Sequence, residues 1–209
     1  MAILNIKTPN IMTMEFRQEK NDPDYGSCVW AVFHFDLDRY TLMIESDCGN
    51  YTYGWHPTSQ FESFLHLMGR LDEEYLLDKL SDRTVVDTET TWKAVEEYLK
   101  SVENRVIEDH AFNHFDEEDE EEENDEEEFK LTDDDWQDVR DACSESSEAI
   151  CYWELKEALA YTPLDGVYGE FELCECINLT YPARAKSIVR IFMEYIRPKC
   201  RELTKEEQV

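Results

Sequence analysis

The sequence predicts an α+β protein: an N-terminal antiparallel β-meander of three to four strands packed by helices, then a C-terminal half that is mainly α-helical. Three observations carry that expectation. Up to His56, apolar and polar side chains alternate in short runs separated by Asn, Asp, Gly and Pro. Beyond that point the apolar period lengthens to three and four residues, the helical spacing. Aromatics are plentiful, with 11 Tyr, 10 Phe and 5 Trp among 209 residues. That supply is enough for a core and excludes an acidic chain that stays disordered for want of one.

Taken in order, Ile11–Arg17 (IMTMEFR) is a short strand candidate, followed by turn chemistry at Asn21, Asp22, Pro23, Asp24 and Gly26. Cys28–Asp36 (CVWAVFHFD) is rich in β-branched and aromatic residues. Arg39–Ser46 alternates, with Tyr40, Leu42 and Ile44 on one face, and Asp47, Gly49 and Asn50 make the next turn. Tyr51, Tyr53 and Trp55 then alternate with Thr52, Gly54 and His56. In the helical part, Ser59-x-x-Glu62 has the spacing of a capping box ahead of FLHLM, and Leu71–Leu80 is a second short helix. Thr84–Val86 is a further strand candidate. A long helix starts near Thr90, with Trp92, Val95, Leu99, Val102 and Val106 on one stripe.

Thr132-x-x-Asp135 is again box-like, and Trp136, Val139, Cys143, Ile150 and Trp153 follow at helical spacing, with Ser144, Ser146 and Ser147 able to divide them into two helices. Thr162–Gly169 reads as a loop. The last helix begins near Tyr181 with Pro182 in its first turn and a core face of Ile188, Ile191, Phe192, Tyr195 and Ile196, and Pro198 limits its extent. The domain reading is 1–115 for sheet and helices, 116–130 for an acidic flexible insertion, and 131–209 for a helical part on the same core or in a subdomain.

Charge is the second strong signal. The chain carries 50 acidic and 20 basic residues, a net of −30. Residues 116–128, DEEDEEEENDEEE, hold twelve carboxylates in thirteen positions, among them Glu117, Glu118, Asp119, Glu120 and Glu121. Without that run the chain is still −18, with 38 acidic against 20 basic residues. Such a field repels nucleic acid and anionic membrane and attracts basic proteins. Blocks of like charge repel and extend, so the run is expected to act as a solvated arm. Only the 28 residues from Pro182 run the other way, seven basic against four acidic.

Asp134, Asp138, Asp141, Glu145 and Glu148 fall at steps of four, three, four and three. On one continuous helix they would form an acidic stripe with carboxylates about 5 Å apart, a scale similar to the phosphates of a DNA strand. A solvent face usually mixes in lysines, and only Arg140 lies near. The stripe is either an acidic solvent face or a phosphate-backbone mimic. Trp30, Tyr51, Tyr53 and Trp55 are sheet core or, if exposed, anchors for a protein partner.

Other chemistry is thinly represented. His110-x-x-x-His114 has zinc-like spacing but no Glu after the first His, and Cys174-x-Cys176 is a weak metal signal on an expected strand. No Gly-rich phosphate loop, G-x-S-x-G elbow or His–Cys signature is present. No catalytic residue, metal or cofactor is therefore expected. The N-terminus MAILNIKTPNIMTMEFRQEK lacks a basic region followed by an apolar one, and seven scattered cysteines fit free buried thiols in a reducing cytosol. The expected location is the cytoplasm of a bacterial host, with no membrane partner.

The stretch WAVFHFDLDRYTLMIESDCGNYTYGWH followed by SFLHLMGRLDEEYLLDKLS, within residues 28–82, resembles a recurrent group of acidic phage and prophage proteins. The resemblance implies an accessory protein of a bacterial virus. It carries over no enzymatic residues. By class, small and very acidic phage proteins resemble DNA-mimicking anti-CRISPR and anti-restriction inhibitors. The expectation is a non-catalytic inhibitor that occupies the basic nucleic-acid-binding surface of a host defence nuclease and binds no nucleic acid itself. Two alternatives are an immunity-type protein that neutralises a basic toxin and a metal-dependent enzyme built on His110 and His114.

Overall fold

Alternate residues of a strand face opposite sides of its sheet, and that rule places the first core. In Trp30–Asp36 (β2), Ala31, Phe33 and Phe35 are buried, and in Thr41–Ser46 (β3) so are Leu42 and Ile44. The computed structural model describes residues 8–22, 25–56, 63–113 and 130–206. The flanking strands are Ile11–Arg17 (β1) and Tyr51–Gly54 (β4). All pairings are antiparallel in the order β1-β2-β3-β4, with Arg17 opposite Trp30, Ala31 opposite Ser46 and Ile44 opposite Tyr51. The expected meander is present, and a mainly helical second half follows it. β3 starts at Thr41 rather than Arg39 because the preceding turn puts Tyr40 at φ 54°, a left-handed conformation no strand residue adopts. The Asp36 carboxylate holds that turn by accepting from the Asp38 and Arg39 N–H groups at 3.2 and 3.0 Å.

The chain forms two compact units: Met1–Asp82 with Tyr181–Val209, and Arg83–Thr180. Each has its own hydrophobic core.

In the first unit the inward face of the sheet meets Phe64–Arg70 (α1), Glu73–Leu80 (α2) and the C-terminal helices. Phe35, Tyr40 and Trp55 all pack on Phe64, with ring centroids 6.1, 5.2 and 5.8 Å away, and Phe33 packs on Phe192 at 6.1 Å. Full burial of a ring such as Phe33, Phe35, Phe64 or Phe192 contributes about 1.5–3 kcal/mol. Ser63 caps α1 by accepting from the His66 N–H, and Asp72 caps α2. The box expected at Ser59 and Glu62 lies outside the described residues.

Helix Ala183–Ile191 (α7, by chain order) continues through a π-helical turn at Phe192–Ile196 into Arg197–Glu206 (α8). Pro198 therefore does not end the helix. The wider turn bonds the Arg197 N–H to the Phe192 carbonyl, five residues back, and Pro198 enters where its missing N–H and bulky ring are tolerated.

In the second unit, Val85–Val86 (β5) pairs antiparallel with Leu179–Thr180 (β6). Asp87 caps Thr88–Asn113 (α3) by accepting from the Thr90 N–H at 3.1 Å. Val95, Leu99 and Val102 are buried, and Trp92 and Val106 pack beside them, as the stripe predicts. Buried Thr91 exchanges two hydrogen bonds with the Asn178 backbone, tying α3 to β6. The rest of this core comes from Asp133–Ala142 (α4), Glu148–Leu159 (α5) and Glu170–Glu175 (α6). Cys174 and Cys176 sit on and just after α6, not on a strand, so their alternation has no metal geometry behind it. No described helix is long and apolar enough to cross a membrane.

Candidate functional site

The Thr132–Asp135 box fixes where α4 begins. The Thr132 side chain accepts from the Asp135 N–H at 3.2 Å, and the Asp135 carboxylate accepts from the Thr132 N–H at 2.8 Å. Asp133, Asp134 and Asp135 fill the first turn, where the helix dipole favours negative charge. Val139, Ala142 and Cys143 face the core. The helix stops at Cys143: the Ser144 N–H turns back to the Asp141 carbonyl, and Ser147 starts α5 by accepting from the Ile150 N–H at 3.4 Å. The two-helix reading is correct, and the continuous stripe is not what folds.

α5 buries Cys151, Leu155 and Leu159, steps of four, and this phase turns Ile150 and Trp153 outward, Trp153 to 66% exposure. Ile150 and Trp153, which follow Trp136, Val139 and Cys143 at helical spacing, therefore stay outside the core. Trp136 does brace α4: it meets Trp92 edge-on at 6.0 Å. The same phase sets Glu154 and Glu157 facing α4.

Between α4 and α5 lies an open groove of about 310 Å3, lined by Asp138, Asp141, Glu145, Glu154 and Glu157 over a floor of Ala142 and Ala158. Alanine side chains end at Cβ, which keeps the groove open. Four of the carboxylates are exposed and Glu145 is half-buried. Asp141 accepts from the Gln137 amide at 2.9 Å, and among the described residues no ion pair reaches any of the five. The cations of these helices are engaged elsewhere. Arg140 lies over the Trp92 ring at 5.4 Å. Lys156 bonds Glu170 at 2.5 Å and lies over the Tyr152 and Trp153 rings at 5.7 and 5.6 Å. Its hydrogen bond and charge hold the Glu170 carboxyl below the usual range.

The sequence-predicted set is thus brought together in part. Asp138, Asp141 and Glu145 share the groove, whereas Asp134, one turn before Asp138, and Glu148, in the first turn of α5, do not line it. Glu154 and Glu157 were missed. A phase of Cys151, Leu155 and Leu159 would have revealed them. Glu117, Glu118, Asp119, Glu120 and Glu121, with the rest of the run, lie outside the described residues, as do His114 and the His110 side chain. The Leu131 N–H, just ahead of the Thr132 cap, bonds the Glu103 carboxylate of α3 at 2.8 Å.

Of the sheet aromatics, Trp55 is core, Trp30 is exposed, and Tyr51 and Tyr53 are half-buried.

Charge follows the division into units. Arg83–Thr180 holds 32 acidic and 7 basic residues, a net of −25, and the other unit 18 acidic and 13 basic, a net of −5.

A family model described as a phage family matches residues 9–202. The chain belongs to that phage family. The match runs through both units, so both belong to one phage protein. No curated protein and no solved structure matches it.

Proposed function

We propose that this phage protein is a non-catalytic inhibitor whose second unit occupies a basic, nucleic-acid-binding surface of another protein. The observation that carries the reading is the α4–α5 groove, where five carboxylates converge without an ion pair among the described residues. Like charges so close destabilise a fold, and a partner's Lys and Arg side chains would relieve that cost on binding. Exposed Trp153 adjoins Glu154 on α5 and supplies an aromatic anchor beside the charge. A phage protein meets host defence nucleases, whose channels hold duplexes through positive charge and backbone geometry. The broken helix changes the form of the mimicry: it presents a cluster of carboxylates across two helices, not a straight phosphate ladder. The run at 116–128 would steer encounter and raise the association rate more than the affinity.

The experiment is capture of host proteins on the immobilised chain, with duplex DNA as competitor. A basic nuclease or nucleic-acid-binding protein, released by duplex, supports the reading. Capture that duplex leaves untouched contradicts it.

A further inference from the structure

The last pair in the antiparallel register of β2 and β3 sets Ala31 opposite Ser46. It brings Cys28, just before β2, against Asp47 and Cys48 in the turn after β3. Both thiols are buried, at 0% and 5% exposure, and the two sulfurs and a carboxylate oxygen all lie within 4.8 Å of one another. The Cys28 thiol donates to Asp47 Oδ1 at 3.3 Å, and the Cys48 thiol donates to the Ser27 carbonyl at 2.9 Å.

The surrounding backbone holds these groups in place. Asp47 Oδ2 accepts from the Val29 N–H at 3.0 Å and Oδ1 from the Trp30 N–H at 3.3 Å, which fixes the carboxylate plane. The turn itself is tied by the Ser46 hydroxyl, which accepts from the Cys48 N–H and donates to the Gly49 carbonyl, and by the Tyr51 hydroxyl, which donates to the Cys48 carbonyl. Gly49 sits at φ 114°, open to glycine and strained for other residues.

We propose that Cys28, Cys48 and Asp47 form a binding site for a thiophilic divalent cation, zinc above all. Zn–S bonds of about 2.3 Å and Zn–O bonds of about 2.0 Å place tetrahedral sulfur and oxygen ligands about 3.5 Å apart. The Cys28–Asp47 separation of 3.3 Å already meets that spacing. The backbone N–H groups on Asp47 act as the outer shell that orients a ligating carboxylate. Three protein ligands leave a fourth position to solvent. Binding replaces two thiol protons with the metal: both S–H bonds break, two metal–thiolate bonds form, and the protons pass to solvent. The site would clip the start of β2 to the β3–β4 turn in the first unit, independently of the acidic groove.

Cobalt is the test probe, because a thiolate-to-cobalt band in the near ultraviolet separates sulfur ligation from binding to surface carboxylates. The full chain, reduced and metal-free, is titrated with Co2+. The proposal expects the band to saturate at one equivalent, to be bleached by one equivalent of Zn2+, and to be lost in Cys28→Ser and Cys48→Ser. Asp47→Asn, which keeps the shape and the acceptor for Trp30, should fold and weaken cobalt affinity by about tenfold or more, as loss of a metal ligand or its orienting partner does. Cys200→Ser should leave the band unchanged. Absence of the band in the reduced chain overturns the proposal, as does cobalt binding indifferent to Cys28 and Cys48. A redox pair in place of a metal site would appear as a Cys28–Cys48 disulfide without the band, and that also overturns it.

Discussion

Single side chains decide several features here because their surroundings leave no alternative. Gly69 is the clearest case. An alanine in a helix is ordinarily favoured over glycine by about 0.5–1 kcal/mol. At Gly69 a Cβ would stand 2.9 Å from Arg201 Cγ, where α1 and α8 cross and the Arg201 guanidinium donates to the Gly69 carbonyl. Overpacking costs about 1–3 kcal/mol, so the clash outweighs the propensity. Gly69→Ala is expected to lower the urea midpoint. Buried thiols set the alkaline limit. Burial raises Cys200 from 9.0 to about 12, and burial, followed by the Cys151 and Cys176 thiols, raises Cys143 to about 12. A thiol whose folded pKa is raised favours the fold fully below the unfolded value. That contribution fades as pH climbs from about 9 toward about 12, by about 1.4 kcal/mol per pH unit for each thiol. Urea midpoints measured between pH 8 and pH 11 should be flat at first and then fall, and Cys200→Ala should fall less steeply than the parent chain.

At the level of elements, the capping box sets the register of α4 and with it the side of the groove. Thr132→Ala is expected to cost about 1 kcal/mol. Thr132→Ala and Asp135→Ala should combine to less than their sum, because each removes half of one reciprocal pair; chemical denaturation of the singles and the double checks this. The box, the meander and the α3 stripe were all legible in the sequence, since each rests on local spacing: Thr132 to Asp135, Leu42 to Ile44, Val95 to Leu99 to Val102. α5 was harder. Two apolar phases compete there, Ile150 with Trp153 and Cys151 with Leu155 and Leu159, and the larger side chains drew the reading although the core takes the second set. Glu154 and Glu157 were hidden by that choice. The π-helical turn at Phe192–Ile196 leaves no compositional trace, so Pro198 read as a stop. The Cys28–Asp47–Cys48 cluster depends on strand register, which no short-range pattern reveals.

Over the whole molecule, self-repulsion works against a core of ordinary composition, and it is concentrated in the unit that carries −25. Raising salt from about 0.01 M to about 0.15 M shortens the screening length from about 30 Å to about 8 Å. Thermal stability should therefore rise with salt, while affinity for a basic partner falls; a chain with Gly and Ser in place of residues 116–128 should show a smaller rise, and calorimetry would measure it. The central claim is that the groove, not net charge alone, recognises the partner. The most direct measurement compares two triple charge reversals for affinity to the captured target: Asp138→Lys, Asp141→Lys and Glu154→Lys in the groove, against Asp165→Lys, Glu172→Lys and Glu175→Lys, three exposed carboxylates outside it. Loss of close charge pairs predicts weakening of about tenfold or more for the groove set, with the outer set within about threefold of the parent. Equal weakening by both sets, or none by the groove set, would contradict the account.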